Sequence, residues 1–229
     1  MRSMKIAVVA VVAALAASPA LSSDLMSPMA PAAGSYDWSG FYAGIVGGGG
    51  LFSSTTTEHG NSIYGGGASQ SEFGGAIGGT VGFNVQSGSA VFGVEGDVSW
   101  SSFGFDTTYP DNVNENNSNW DWIATVRARA GLAVDNTLFF ATAGVAAVST
   151  DYFYGRNDLT TGMYAESSGT EFGFTAGVGA EYALSDDLSL KAEYLYIAPA
   201  STTATTDFSE LVDFSSSAHI ARVGVNLHF

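Results

Sequence analysis

The last thirteen residues, Ser217 to Phe229, constrain the fold more than any other stretch. Ala221, Val223, Val225, Leu227 and Phe229 are apolar, and Arg222, Gly224, Asn226 and His228 fall between them. A side-chain period of two marks a strand with one apolar and one polar face. The sequence then stops on a phenylalanine carboxylate. That ending is unusual for a soluble domain. It suggests a strand whose apolar side meets lipid, and the upstream sequence can be searched for repeats of it.

The 229 residues suffice for one large or two small domains, and no cysteine is present for a disulfide or a thiolate-bound metal. Lys and Arg number 7 against 22 Asp and Glu, which argues against nucleic acid as a partner. Residues 1–20 read as a secretory signal. Arg2 and Lys5 precede the apolar run Ile6 to Ala17, and Ser18-Pro19-Ala20 supplies small residues for cleavage after Ala20, with Ala16 as an alternative. That run falls short of the roughly 20 residues a membrane helix needs. Residues 21–37, with Pro28 and Pro31, read as a flexible leader. No later segment is apolar enough for a membrane helix, so a membrane-embedded mature chain must be a closed barrel.

From Trp38 to Phe229 the chain divides into eight strand-like runs: 38–52, 72–86, 90–101, 120–134, 138–152, 171–184, 188–198 and 217–229. The first is apolar or glycine on both faces, and its register is not legible. In the second, Phe73, Ile77, Val81, Phe83 and Val85 share a face; in the third, Phe92, Val94, Val98 and Trp100 oppose Glu95, Asp97 and Ser99. The fourth sets Trp120, Trp122, Val126, Ala128, Ala130 and Leu132 against Asp121, Thr125, Arg127 and Arg129. The fifth shows Phe139, Ala141, Ala143, Val145 and Ala147. The sixth opposes Phe172, Phe174, Ala176, Val178, Ala180 and Tyr182 to Glu171, Thr175 and Glu181, and the seventh opposes Leu188, Leu190, Ala192, Tyr194 and Tyr196 to Ser189, Lys191 and Glu193.

Connections alternate in length. Gln86 to Ser89, Asp135-Asn136 and Ser185 to Asp187 are tight turns, whereas 53–71, 102–119, 153–170 and 199–216 read as long polar loops. Long loops at one end and short turns with both termini at the other match an all-β, eight-stranded antiparallel transmembrane up-and-down β-barrel occupying 38–229. Two aromatic girdles follow. Phe73, Trp100, Trp120, Trp122, Phe172 and Tyr196 fall near the long-loop end, and Phe83, Phe92, Phe139, Tyr182 and Phe229 near the other. A soluble sandwich or lipocalin-like barrel is the alternative. Its polar face would have to meet water, yet that face is largely Gly, Ala, Thr and Ser, which suits a narrow bore better.

Removing Arg2 and Lys5 leaves five basic residues in the mature chain. Four of them, Arg127, Arg129, Lys191 and Arg222, lie on polar strand faces together with four acids, Glu95, Asp97, Glu181 and Glu193. A charge in a narrow lumen is costly unless paired, so the equal numbers suggest an interior ion-pair network. Counting along the strands puts Glu95 level with Arg129, Asp97 with Arg127, and Lys191 beside Glu181. The network is either a structural plug or a selectivity filter or gate. The remaining acids, including Glu58, Asp106, Asp111, Glu115, Asp151, Asp158, Glu166, Asp207, Glu210 and Asp213, fall in the loops. They read as solvated faces, with divalent cations and lipopolysaccharide phosphates as a second reading. Asp111 to Glu115 lacks the glycine and spacing of a calcium loop.

No catalytic or cofactor constellation is visible. The glycine clusters at 47–50, 65–67 and 74–79 are not followed by Lys-Ser/Thr and open no helix, so they are not phosphate loops. His59, His219 and His228 are too dispersed for a metal site. A hydrolytic triad assembled from loops stays open, since its members need not be neighbours in sequence.

Three motifs carry a family resemblance: Asp37-Trp38-Ser39-Gly40-Phe41-Tyr42-Ala43-Gly44, Lys191-Ala192-Glu193-Tyr194-Leu195-Tyr196 and Arg222-Val223-Gly224-Val225-Asn226-Leu227-His228-Phe229. Together they resemble the porin-like outer-membrane β-barrels of α-proteobacteria, small surface antigens related to opacity-type barrels, over about 37–229. The resemblance implies a cell outer membrane location and a role in envelope integrity and surface interaction rather than catalysis. It implies outer-membrane lipid and lipopolysaccharide as partners, a host or environmental surface ligand, and assembly machinery that reads Val225, Leu227 and Phe229. Leu227 departs from the aromatic expected two places before the end. No cofactor is implied. A small porin passing solutes remains the second functional class, and a lipid or peptide hydrolase the third.

Overall fold

The computed structural model describes residues 36–59, 68–108, 114–156, 163–205 and 211–229. The expected signal and most of the leader lie outside the described residues. Nine strand segments form one closed antiparallel sheet: β1 Gly40–His59, β2 Ala68–Ser87, β3 Ala90–Thr108, β4 Asn114–Val134, β5 Thr137–Arg156, β6 Met163–Ala183, β7 Leu188–Pro199, β8 Thr202–Thr205 and β9 Leu211–His228. β7 and β8 both pair with β9 and make one interrupted stave, so the barrel has eight staves. Closure comes from β9 pairing with β1, from Tyr42↔His228 to His59↔Leu211.

The register fixes the barrel's geometry. Starting at Tyr42 and stepping across each pairing gives Gly82, Glu95, Arg127, Gly144, Thr175, Ile197 and Ala218, and then Phe52 on β1. One circuit therefore advances ten residues along β1. With eight staves that stagger corresponds to a strand tilt of about 40° and a backbone radius of about 8 Å. Such a bore holds side chains and little else.

Two expectations change here. The long loops are in large part strand: β1 and β2 pair out to Thr56↔Ala68, β3 and β4 to Thr108↔Glu115, and β5 and β6 to Arg156↔Met163. Apolar alternation stops where lipid stops, but the ladder continues on hydroxyls. Ser53 and Ser71 share a hydrogen bond at 2.8 Å, and Thr55 and Ser69 one at 3.0 Å. The second is the 199–216 loop: the eight expected staves stand, but the seventh breaks after Pro199, which has no N–H to donate to a ladder, and resumes as β8.

The first strand, illegible in sequence, turns Phe41, Ile45 and Leu51 outward and buries Tyr42, Val46 and Phe52. Its glycines serve the seam. A Cβ on Gly48 would stand 2.1 Å from the carbonyl oxygen of Ala221 on β9, so only glycine permits this approach. The register shifts at Ser101-Ser102 of β3, which keeps its alternation, and at Asp121-Trp122 of β4, where a bulge shifts the alternation by one residue. That bulge overturns the placement of Trp120 and Asp121. Trp120 points into the lumen, 1% exposed, and Asp121 points out. The Ser101 hydroxyl donates to the Trp120 carbonyl at 2.6 Å and holds the kink.

Elsewhere the outward face is the apolar one. Phe73, Trp100 and Phe172 stand exposed toward the outer end, and Phe83, Phe92, Phe139, Tyr182 and Phe229 toward the turn end. Trp122 and Tyr196 are half-buried on the same outer level. Water cannot solvate so much aliphatic and aromatic surface, whereas lipid covers it at no cost.

Candidate functional site

The candidate site is the lumen, filled in three levels. The floor, at the turn end, is a cluster of Trp38, Val91, Ala133, Leu138, Phe140 and Ala183, with Tyr36 packed against it. Trp38 precedes β1 and its ring is fully buried. Its backbone N–H donates to Gln86 Oε1 at 2.8 Å, and its ring meets Tyr36 at 4.6 Å and His228 at 5.7 Å. The Tyr36 hydroxyl donates to the Asp186 carbonyl at 2.7 Å. Burial, and then the charges of Glu181, Asp187, Asp186 and Asp37, push its phenol up to about 12. It therefore keeps its proton, and its donor role, at neutral pH.

Above the floor lie the eight charged residues singled out in sequence, all buried. Inward parity on β3, β4, β6, β7 and β9 aims them at one another. Glu95 is the hub. It accepts from Arg127, from Lys191 Nζ at 2.8 Å and from the Tyr42 hydroxyl at 2.7 Å, while Arg129 and Arg222 each stand 3.9 Å away. Arg127 also bonds Asp97 at 2.9 Å, Thr142 at 3.1 Å, and Glu193. Arg222 spans Asp97 at 3.0 Å and Glu193 at 2.7 Å. Thr125 gives Asp97 a further bond at 2.6 Å.

Nearer the floor Arg129 bonds Glu181 and lies over the Phe140 ring at 4.0 Å. Glu181 also accepts from Ser189 at 2.5 Å and Asn226 at 2.6 Å, with His228 Nε2 3.5 Å away. Four cations thus face four carboxylates, and each carboxylate has at least one charged partner and one neutral or second charged donor. Such satisfaction is what makes buried charge tolerable.

The pairings differ from those counted along the strands. Asp97 does meet Arg127, but Glu95 is bonded by Arg127, Arg129 turns down to Glu181, and Lys191 crosses to Glu95 although Glu181 is its register neighbour. Strand tilt separates register from height, and long side chains reach across the bore. Sequence reasoning missed Tyr42, Ser189, Asn226 and Thr142. Their signal was inward parity beside a charge, and for Tyr42 even that was hidden by the ambiguous first run.

The ceiling was missed as well. Phe52, Phe103, Trp120, Ile123, Ala146, Val148, Leu195, Ile197, Ala218 and Ile220 form an apolar layer over the charges. Between ceiling and charges the lumen keeps a cavity of about 10 Å³, bordered by Asp97, Ser99 and Arg222. That is room for about one water molecule. Further out, Tyr152 stacks on Phe214 at 5.1 Å and bonds Ser216 at 2.8 Å.

The other residues singled out in sequence are scattered. Val225 and Leu227 face outward on β9, Phe229 is exposed just past its end, and the Phe229 N–H donates to the Phe41 carbonyl at 2.9 Å. His219 faces outward and His228 lies in the floor, on opposite sides of the wall. His59 ends β1, but its side chain lies outside the described residues. Of the acids assigned to loops, Asp151, Glu166 and Asp213 lie on β5, β6 and β9, not in loops. Glu58, Asp106 and Glu115 are also on strands, though their side chains lie outside the description. Asp111, Asp158, Asp207 and Glu210 lie outside it altogether. No group of His, Asp and Glu able to hold a metal occurs among the described residues.

Known proteins share this architecture. A family model described as an outer membrane protein beta-barrel domain matches residues 7–229. The 31 kDa outer-membrane immunogenic protein of Brucella melitensis biotype 1 is 31% identical over 242 residues, covering 99% of this chain and 100% of that protein. The 22 kDa outer membrane protein of Rhizobium leguminosarum bv. viciae is 29% identical over 172 residues, 74% of this chain and 67% of that one. Among solved structures, the outer membrane protein OprG from Pseudomonas aeruginosa aligns with a TM-score of 0.51 at 12% identity, over 85% of this chain and 99% of that chain.

Proposed function

The chain belongs to the outer membrane protein β-barrel family and resides in the cell outer membrane, and on that premise we propose that it is a closed, non-conducting surface barrel. Its role in this reading is to contribute to envelope integrity and to carry its outer strand extensions to ligands beyond the membrane. The role is structural and interactive rather than catalytic. One observation carries the reading: among the described residues the charge network is stacked between an apolar floor and an apolar ceiling, and the cavity beside Asp97, Ser99 and Arg222 holds only about 10 Å³. A hydrated ion needs a continuous path, and moving one past this stack means breaking several buried ion pairs at once.

The Brucella relatives are named as immunogenic, which supports a surface-exposed outer end here. Outer-leaflet lipid and lipopolysaccharide are the proposed neighbours of the wall, and the outer extensions with their acids the proposed contact for a host or environmental ligand. Val225, Leu227 and Phe229 form the proposed signal for the assembly machinery. Planar-bilayer recording on the purified mature barrel tests the plug. The expected record shows no steady conductance at moderate voltage. A large, stable open channel overturns the plug and establishes the small-porin reading instead.

A further inference from the structure

His219 is used by neither the lumen network nor the floor. It lies on the outward face of β9, and the Tyr194 hydroxyl meets its Nδ1 at 2.6 Å. The Tyr196 ring packs against it at 4.8 Å, and Tyr196 in turn lies edge-on to Phe174 at 5.7 Å. The imidazole is therefore fixed in orientation. With Nδ1 engaged by the Tyr194 hydroxyl, Nε2 is the ring nitrogen left to donate to an outside partner.

Two features give the ring's depth. The outward row His219, Leu51 and Phe73 is apolar apart from the imidazole, and the next row outward is Ser217, Ser53 and Ser71. Apolar wall changes to hydroxyl wall just above His219. Along the same face, Phe229 lies ten residues nearer the turn end. At the rise and tilt of these strands that is about 25 Å, the height of a barrel's apolar band. The imidazole thus stands at the outer interface, level with lipid headgroups.

Charge completes the case. Arg127, Arg129, Lys191 and Arg222 all point into the lumen. Among the described side chains, His219 is the single outward-facing Lys, Arg or His. We propose that Tyr194, His219 and Tyr196 form a headgroup site on the barrel wall that binds a phosphate of an outer-leaflet phosphorylated glycolipid, with His219 Nε2–H as donor and Tyr196 as the apolar side of the seat.

The proposal rests on outer-leaflet glycolipid being a neighbour of the wall, and the test separates the two. Mature protein is placed in nanodiscs containing bisphosphorylated lipid A, or the same lipid with its phosphates removed. Ring nitrogens are followed by long-range proton–nitrogen correlation, with His219→Phe assigning the signal, and retained lipid is measured by native mass spectrometry. The His219 Nε2 signal is expected to shift in the phosphorylated lipid alone. His219→Phe, which keeps a ring against Tyr196 and removes the donor, should retain lipid A roughly ten- to a hundredfold less well, the factor one hydrogen bond to a charged group supplies. Its thermal unfolding in detergent should match the wild type, which excludes a merely structural role. Equal Nε2 signals in both lipids, or undiminished retention by His219→Phe, overturns the site. Failure of the wild type itself to retain lipid A overturns the underlying neighbour assignment.

Discussion

Replacing Arg127 by Met tests the lumen network at its most connected cation. Methionine roughly fills the space but removes the charge. In the native barrel Arg127 bonds Glu95, Asp97, Glu193 and Thr142, all buried. Without it Glu95 keeps Lys191 and Tyr42, Asp97 keeps Arg222 and Thr125, and Glu193 keeps Arg222. No carboxylate is wholly abandoned, but four face three cations in a bore too narrow to hydrate the excess. Breaking one side of a buried ion pair costs about 3–5 kcal/mol. The surviving partners place the expected loss toward the lower end, about 3 kcal/mol. Removing the matching negative charge should recover part of it; Glu193→Gln leaves Lys191 on Glu95, Arg222 on Asp97 and Arg129 on Glu181, so Arg127→Met/Glu193→Gln is expected to be more stable than Arg127→Met alone. Denaturant unfolding in lipid vesicles, followed by tryptophan fluorescence, measures both, and the double-mutant comparison isolates the coupling. An unchanged midpoint for the single variant, or a double variant that simply adds two losses, refutes the claim that charge balance governs this lumen.

Two further outcomes are expected. Single-tryptophan variants in brominated-acyl lipid should divide sharply, with Trp100, 71% exposed, strongly quenched and Trp120, 1% exposed, nearly untouched; strong quenching of Trp120 contradicts the bulge that turns it inward. Deleting Phe229 removes one backbone bond to Phe41 and an outward ring, so the assembled barrel should lose only about 1 kcal/mol. Its yield in the outer membrane should fall far more than that while export across the inner membrane stays intact, as fractionation would show; normal insertion removes Phe229 from the assembly signal.

The wall was legible in the sequence because it follows one rule. Wherever a side chain meets lipid the rule is alternation, and Phe172 to Tyr182 or Ala221 to Phe229 obey it without interruption. The charges were legible for the same reason, since inward parity leaves Glu95, Asp97, Arg127 and Arg129 no other place to go. Three things were not legible. The outer strands run past the apolar band on Ser and Thr, and hydroxyls at a strand edge look like loop residues until their cross-strand partners are known. The bulge that inverts Trp120 is made of Asp121-Trp122, and nothing in that pair announces an extra residue. The first run hid its register because glycine carries no side chain, and its glycines are set by how closely β1 meets β9, a contact made only in the closed barrel.

That dependence on closure extends to the floor. Trp38 enters the bore from the N-terminal side of β1, yet the groups around it come from the whole circumference: Gln86 on β2, Leu138 and Phe140 on β5, and His228 at the end of β9. Glu181 on β6 meets Arg129 on β4, Ser189 on β7 and Asn226 on β9. An open sheet could bring neighbouring strands into register, but it could not place His228 against Trp38 or Lys191 of β7 against Glu95 of β3. Those contacts reward the final turn of the sheet. The β1–β9 seam is built partly on glycines and contributes little side-chain packing of its own at those positions. The charges and rings that converge in the bore supply what the seam lacks, so the same residues that fill the lumen also favour the barrel over any open form.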